Sequence, residues 1–355
     1  MKKILALVLA LAMVATFAAC GKDAASSTDN DATAEYKLGM GVVVSLDSSA
    51  DANAEKGTDA VAQADSTVAT VVLDKDGKVV AADLDCAQTK VSVDKNGKVT
   101  VDGVDLRTKK EKKEDYGMKG ASPIGKEWYE QAAAFVEKMV GKTAADIEAI
   151  TTEEKNGHQV ATDADLYAAC TMDITAFKAA FVAACKDAQA KTFTAAEGFK
   201  LGLDVETNVA GSTDATQDKN AVVQLYSTFG AIVVDKDGKT LAAIVDEVQP
   251  KVEVAKGKIE KKDYKDTKRG LKEGYNMVTY SAPGTCIAEW YVQAKDLTDY
   301  IAKKAMTADQ IKAIATADTR NDGYMRPTDA DLAAVCTIQI SSYQTALANA
   351  ISNAK

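Results

Sequence analysis

The chain reads as an α+β protein built from two similar modules, each an antiparallel meander followed by amphipathic helices. Three observations carry this. Short β-rich runs are joined by Asp-Gly and Asn-Gly turns. The segments after them switch to helical spacing. The whole pattern then occurs again in the same order. At 355 residues and 46% hydrophobic content, there is material for two packed cores.

In the first module, Thr67–Leu73 is β-rich and runs into Asp74-Lys75-Asp76-Gly77-Lys78, a hairpin turn that returns through Val79–Asp85. A second hairpin is expected at Asp94-Lys95-Asn96-Gly97-Lys98, between Lys90–Val93 and Val99–Val101. Glu127–Val140 predicts a helix with Trp128, Gln131, Ala132, Phe135 and Met139 on one face, and Gly141 ends it. Thr143 caps a short helix through Ile150. Asp163–Ala169 predicts a turn or helix, Cys170–Ile174 a strand, and Thr175–Ala188 a closing Ala-rich helix. The second module mirrors this and ends with a helix over Ser341–Asn353.

The recurrence is detailed. Tyr36-Lys37-Leu38-Gly39 returns as Phe199-Lys200-Leu201-Gly202, and Asp74-Lys75-Asp76-Gly77-Lys78 as Asp235-Lys236-Asp237-Gly238-Lys239. Asp85, Gln88 and Lys90 match Asp246, Gln249 and Lys251. Tyr116-x-Met118 matches Tyr275-x-Met277, and Glu127-Trp128-Tyr129-x-Gln131 matches Glu289-Trp290-Tyr291-x-Gln293. Thr162-Asp163-Ala164-Asp165-Leu166 matches Thr328-Asp329-Ala330-Asp331-Leu332. The offset drifts only between about 159 and 166, which reads as a tandem duplication of a unit of about 155 residues.

The N-terminus carries an address. Met1-Lys2-Lys3 is a cationic start, Ile4–Phe17 is an apolar run too short to span a bilayer, and Ala18-Ala19-Cys20 follows. This resembles a bacterial lipoprotein signal with its lipobox. The resemblance implies cleavage before Cys20, a diacylglycerol on its thiol with palmitate-type chains, and an extracytoplasmic site on the cell membrane. The alternative is an ordinary secretory signal that leaves Cys20 free. Residues 1–19 are then the signal, 20–35 a lipidated cysteine and flexible tether, 36–191 the first module and 192–355 the second. Cleavage removes Lys2 and Lys3 and takes the net charge from −9 to −11, so acyl chains rather than basic residues must supply membrane affinity.

Composition narrows the function classes. An acidic chain is a poor partner for nucleic acid. The single histidine, His158, excludes polyhistidine metal sites and argues against a histidine-based triad. Cys86, Cys170, Cys185, Cys286 and Cys336 include no Cys-x-x-Cys pair, and only Cys170 and Cys336 are equivalent, so a disulfide framework is not expected.

Three constellations remain. Lys109, Lys110 and Lys113, with Lys268, Arg269 and Lys272, precede a small-residue stretch that opens the Trp-containing helix. Cations beside free backbone N–H groups suit a phosphate or carboxylate, and Tyr116, Trp128, Tyr275 and Trp290 offer faces to a planar ring. The plainer reading is a solvated charged loop and a cap. Under either reading, alanine at Lys109, Lys110 and Lys113 is expected to leave folding intact. In Glu-Trp-Tyr-x-Gln, Gln131 and Gln293 are either hydrogen-bond donors to a ligand or neighbours of core tryptophans. The paired carboxylates of Thr-Asp-Ala-Asp-Leu suit calcium or acid–base work, or simply cap a helix.

The hairpin of the form V-x-V-D-x-D-G-K-I, the small-residue turn and the amphipathic helix are together similar to FMN-binding-domain lipoproteins of Gram-positive bacteria. That resemblance implies flavin binding and extracytoplasmic electron transfer. The family's covalent flavinylation motif is missing, since Gly120-Ala121-Ser122-Pro123-Ile124 and Ala282-Pro283-Gly284-Thr285-Cys286 stand in its place. FMN would therefore be held non-covalently. The leading expectation is a non-catalytic, lipid-anchored module that binds a small ligand or an envelope protein. One alternative is an FMN-dependent redox carrier, and another is a purely structural surface module.

Overall fold

The computed structural model describes residues 34–196 and 198–355. The signal, Cys20 and the tether lie outside the described residues. Thr33–Lys355 forms one compact unit of mixed α+β structure. Its first half runs β1 (Ala34–Ser45), β2 (Ala60–Leu73), β3 (Val79–Val93), β4 (Val99–Thr100), α1 (Lys109–Lys112), α2 (Trp128–Met139), α3 (Ala144–Glu148), β5 (Thr152–Lys155), β6 (His158–Ala161), α4 (Ala164–Ala169) and α5 (Thr175–Cys185). Next comes β7 (Lys191–Ala195). The second half runs β8 (Lys200–Asn208), β9 (Ala221–Gln224), β10 (Tyr226–Val234), β11 (Thr240–Val248), β12 (Lys251–Ala255), β13 (Lys258–Asp263), α6 (Lys268–Leu271), α7 (Met277–Tyr280), α8 (Trp290–Lys303), α9 (Ala308–Lys312), β14 (Thr316–Ala317), β15 (Arg326–Pro327), α10 (Ala330–Ala333) and α11 (Ser341–Ser352).

The first half builds an antiparallel sheet in the order β4-β3-β2-β1-β7. The expected division between residues 191 and 192 runs through β7, which pairs with β1. In the second half the long strands are broken, giving sheets β11-β10-β8 and β13-β12-β9. The break falls at Leu225 and Pro250. Proline has no N–H to donate, and its carbonyl instead accepts from Leu225 N at 3.0 Å.

Hairpin turns stand where Asp-Gly and Asn-Gly place them, with Gly77, Gly97 and Gly238 at positive φ. The extent of the strands differs from expectation. β2 and β3 are far longer than one hairpin needs, and Lys90–Val93 is the end of β3 rather than a separate strand. Cys170–Ile174 is not a strand: Cys170 N closes α4 on Leu166 O, and Ile174 N bonds Gln159 O. The β5–β6 hairpin, which turns at Asn156-Gly157, was not anticipated.

Each half places helices on one face of its sheet. Trp128, Phe135 and Met139 of α2 pack with Phe177 and Phe181 of α5 over Val71 and Leu84. Trp290, Leu297 and Ile301 of α8 pack with Tyr343 and Leu347 of α11 over Ile232 and Val245. The opposite faces of the sheets pack on each other. Leu38, Met40, Val68 and Val72 meet Leu203, Phe229 and Ile244, and a second patch joins Ala62, Val91 and Val93 to Val223, Val252 and Val254. Burial on both faces explains why Ser66–Leu73 is buried at every residue instead of alternating. The order is helix, sheet, sheet, helix.

Glycine lets the closing helices settle on the sheets. A Cβ on Gly202 would overlap the Ala350 carbonyl oxygen of α11, and one on Gly39 would overlap that of Ala184 in α5. Gly202→Ala is expected to cost about 1–3 kcal/mol in urea denaturation, as overpacking does. Gly274→Ala meets nothing within 4 Å and should stay within about 0.5 kcal/mol. Equal effects at the two positions would contradict this packing.

Candidate ligand site

The basic segments sit at the starts of the short helices α1 and α6. Thr108 and Thr267 cap them, accepting from Glu111 N at 3.1 Å and Gly270 N at 2.9 Å. Both helices dock on a buried aspartate of the sheet. Asp85 Oδ1 accepts from Lys110 N at 3.2 Å, and Asp246 Oδ1 accepts from Arg269 N at 3.1 Å. Burial pushes both carboxyls up to about 6, against the pull of the adjacent Lys110 or Arg269 cation.

The helices then aim their two cations in different directions. Lys110 Nζ pairs with Asp83 at 2.5 Å, and Arg269 pairs with Asp187 at 2.7 Å across the contact between halves. Alanine at Lys110 would remove the close cation of the buried Asp83 and leave it Leu84 N at 2.9 Å and Lys355 Nζ at 3.9 Å, so Lys110 is a packed ion-pair partner and not the inert residue expected from the sequence. Lys113 and Lys272 are exposed and do not join their neighbours. Lys109 and Lys268 turn inward. Lys109 Nζ stands 5.3 Å from the Tyr116 ring and 5.9 Å from that of Trp128, and Lys268 Nζ stands 5.1 Å from Tyr275 and 5.6 Å from Trp290.

Beyond this shared motif the halves diverge. Lys268 also pairs with Glu247 at 2.8 Å. Glu247 accepts further bonds from Tyr343 Oη at 2.7 Å and Gln249 Nε2 at 2.7 Å, and Trp290 Nε1 donates to Tyr343 Oη at 3.0 Å. Burial works against the Lys268 charge, but Glu247 and Tyr275 more than offset it and raise its pKa. Burial and then Glu247 push the Tyr343 hydroxyl well above its ordinary value. The aligned positions in the first half are Cys86 and Phe177. Trp128 keeps the same edge-on contact with Phe177, at 5.7 Å, that Trp290 makes with Tyr343, at 5.8 Å, but without the hydroxyl. Trp128 is buried in the helix-side core, so Trp128→Ala should cost about 3–5 kcal/mol in denaturant unfolding. A loss below about 1 kcal/mol would place the ring outside that core.

Gln131 and Gln293 are committed to the protein itself. Gln131 Nε2 donates to Lys126 O and Ser122 Oγ, and its oxygen accepts from Thr171 N at 2.9 Å. Gln293 Nε2 donates to Ala288 O at 2.6 Å, and its oxygen accepts from Thr337 N at 2.6 Å. With both amide ends used, they tie the turn before the helix to the segment before α5 or α11. The turns before these helices are likewise bonded from within. Glu127 accepts from Met118 N and Lys119 N, and Glu289 from Met277 N and Val278 N. These glutamates take up backbone N–H groups that an anionic ligand would otherwise meet there. Asp163 and Asp329 cap α4 and α10, accepting from Leu166 N and Leu332 N. Among the described residues, no group of three or more His, Cys, Asp or Glu side chains could hold a metal ion.

The second half opens a cleft of about 950 Å³ in front of the Lys268–Glu247 pair. Of the predicted residues, Lys268, Tyr275 and Trp290 line it; Arg269, Lys272 and Gln293 do not. Tyr226, Tyr280, Tyr324 and Tyr343 add further rings, and Glu206, Arg320 and Arg326 add charge. Tyr280 is 84% exposed and Tyr324 54%. Arg326 is held by Asp322 at 2.7 and 2.8 Å, and Arg320 donates to Thr285 O at 2.5 Å.

Drift in the offset between the halves marked this site. Tyr275 to Glu289 spans 14 positions against 11 for Tyr116 to Glu127, and Thr307 to Thr328 spans 21 against 19 for Thr143 to Thr162. The longer spans contain α7 with Tyr280 and the 318–325 loop with Arg320 and Tyr324, both on the cleft. The five cysteines of the described residues are free thiols. Burial pushes Cys170 and Cys185 up to about 11 and Cys336 up to about 12, which keeps them protonated. No protein-family model, curated protein or solved structure matches this chain.

Proposed function

We propose that this protein is an extracytoplasmic, lipid-anchored binding protein whose second half holds a small ligand without transforming it. The observation that supports this reading most is the cleft in front of Lys268, Tyr275 and Trp290, at the upper end of the volumes usual for small-molecule sites. Its floor is a fully paired network, Trp290–Tyr343–Glu247–Lys268, which provides fixed polar groups that need no rearrangement on binding. Among the described residues, no helix is long and apolar enough to cross a membrane. On this reading Cys20 carries the anchor, and Cys20→Ala should release the protein from the membrane fraction.

The binding role is tested by thermal shift of the chain from Lys22 onward, which keeps the whole compact unit. The test compounds are sugars, amino acids, nucleotides and FMN. The control is Ser342→Trp, which fills the cleft. A compound that raises Tm in the parent and not in this variant supports the reading. If no compound shifts Tm, or if all shift both proteins equally, the cleft is not a ligand site.

A further inference from the structure

We infer that the second-half cleft takes a neutral carbohydrate chain, with sugar rings stacked on Tyr280 and Tyr324; this rests on the binding role proposed above. Charge is the first argument. Both inward cations are already matched, Lys268 by Glu247 and Arg326 by Asp322. Glu206 adds a further carboxylate to the lining, and Arg320 at the exposed rim is the cation left over. A phosphate or other anion entering here meets three carboxylates and gains little from the paired ammonium.

The second argument is the polar lining. Glu206, Asn208, Gln339, Ser341 and Thr345, with carboxylate, amide and hydroxyl side chains, line the cleft, and Glu206 Oε1, Asn208 Oδ1 and Thr345 Oγ1 each make one bond within the protein. A purely apolar ligand would take these groups from water and give no hydrogen bond in return. A ligand made of hydroxyls can donate to the carboxylates and exchange both ways with amides and hydroxyls.

The third argument is the pair of exposed rings. Tyr280 ends α7 and Tyr324 stands in the 318–325 loop, both in segments longer than their first-half counterparts. Their rings line the cleft while still facing water. The axial C–H face of a pyranose is apolar and flat, so it covers such a ring while its equatorial hydroxyls stay available to the lining. The volume of about 950 Å³ has room for more than one sugar ring. The first half lacks both tyrosines at the aligned stretches and carries Cys86 and Phe177 at the floor, so binding belongs to the second half.

The experiment is calorimetric titration of the chain from Lys22 onward with maltohexaose, cellohexaose, xylohexaose and mannohexaose. FMN and inorganic phosphate are titrated in parallel. In Trp128→Phe, Trp290 becomes the sole tryptophan, and its emission reports the cleft. The expected result is saturable binding of at least one hexasaccharide that moves Trp290 emission. Tyr280→Ala and Tyr324→Ala should each weaken it about 2- to 12-fold, the range for loss of one aromatic contact. If Trp128→Phe does not fold, calorimetry on the parent chain and the two tyrosine variants decides alone. Saturable FMN or phosphate binding without any sugar binding overturns the ligand class and leaves the binding role standing. No binding by any probe up to millimolar concentration overturns the carbohydrate assignment, and the binding role then stands or falls on the thermal-shift test above.

Discussion

Arg269→Ala should cost about 3–5 kcal/mol, although Arg269 lies in a segment that looks like a solvated loop. Its guanidinium meets Asp187 Oδ2 at 2.7 Å, and both side chains are at most 10% exposed. The same carboxylate oxygen accepts from Met40 N at 3.1 Å, and Gln189 Nε2 donates to the Arg269 carbonyl at 3.1 Å. The pair therefore ties the end of α5 to the start of α6. Removing the cation alone leaves the Asp187 side chain buried with two backbone N–H partners, Met40 and Gln189, and no cation, and that unmatched charge is the source of the cost. The double change Arg269→Met with Asp187→Leu should recover most of the loss, since apolar groups of similar size need no pairing. Lys272→Ala, three residues on and exposed, should change stability by less than about 0.5 kcal/mol. Urea midpoints at constant slope are the readout, and a loss near zero for Arg269→Ala would refute the assignment.

Stability should also fall as pH rises from 5 to 8, and Asp204→Asn should remove much of that fall. Asp204 on β8 is buried, with Oδ1 accepting from Asn353 Nδ2 at 3.2 Å and Oδ2 without a partner. Burial pushes its carboxyl up to about 7, and the charges of Glu206 and Glu111 add to this. The folded state thus holds the proton more tightly than the unfolded chain, whose aspartates titrate near 3.9. The resulting stabilisation is complete below about pH 4 and is lost as pH rises through about 7. The difference corresponds to roughly 4 kcal/mol at most. Asp85 and Asp246, pushed up to about 6, slope in the same direction and account for what remains in the variant. At pH 8 Asp204→Asn should be more stable than the parent. A parent with flat stability across this range would rule the account out.

Some of the site was visible in the chain and some was not. Lys268, Tyr275 and Trp290 stand out in the sequence because they belong to a motif that occurs twice, and in the structure they line one cleft. Arg269 belongs to the same motif but serves the contact between halves, because neighbouring residues on a short helix point to different sides. Glu247 and Tyr343 were missed. They are 96 positions apart, and only the packing of α11 on the sheet brings them together. The signal that was present is a difference between the matched segments, which carry Cys86 and Phe177 in one half and Glu247 and Tyr343 in the other.

What the sequence determined by itself is local. Asp-Gly and Asn-Gly set the hairpins, threonine and aspartate set the helix starts, and 3.6-residue spacing set the buried faces of α2 and α8. These depend on dihedral preferences and hydrogen bonds within a few residues, so they can be read in order along the chain. The tertiary structure alone decided how far β2 and β3 extend, that the two sheets bury each other, which cations are used up by carboxylates, and where a cleft is left open. Each of these turns on groups distant in sequence competing for the same buried space, and pattern along the chain carries no record of which contact wins.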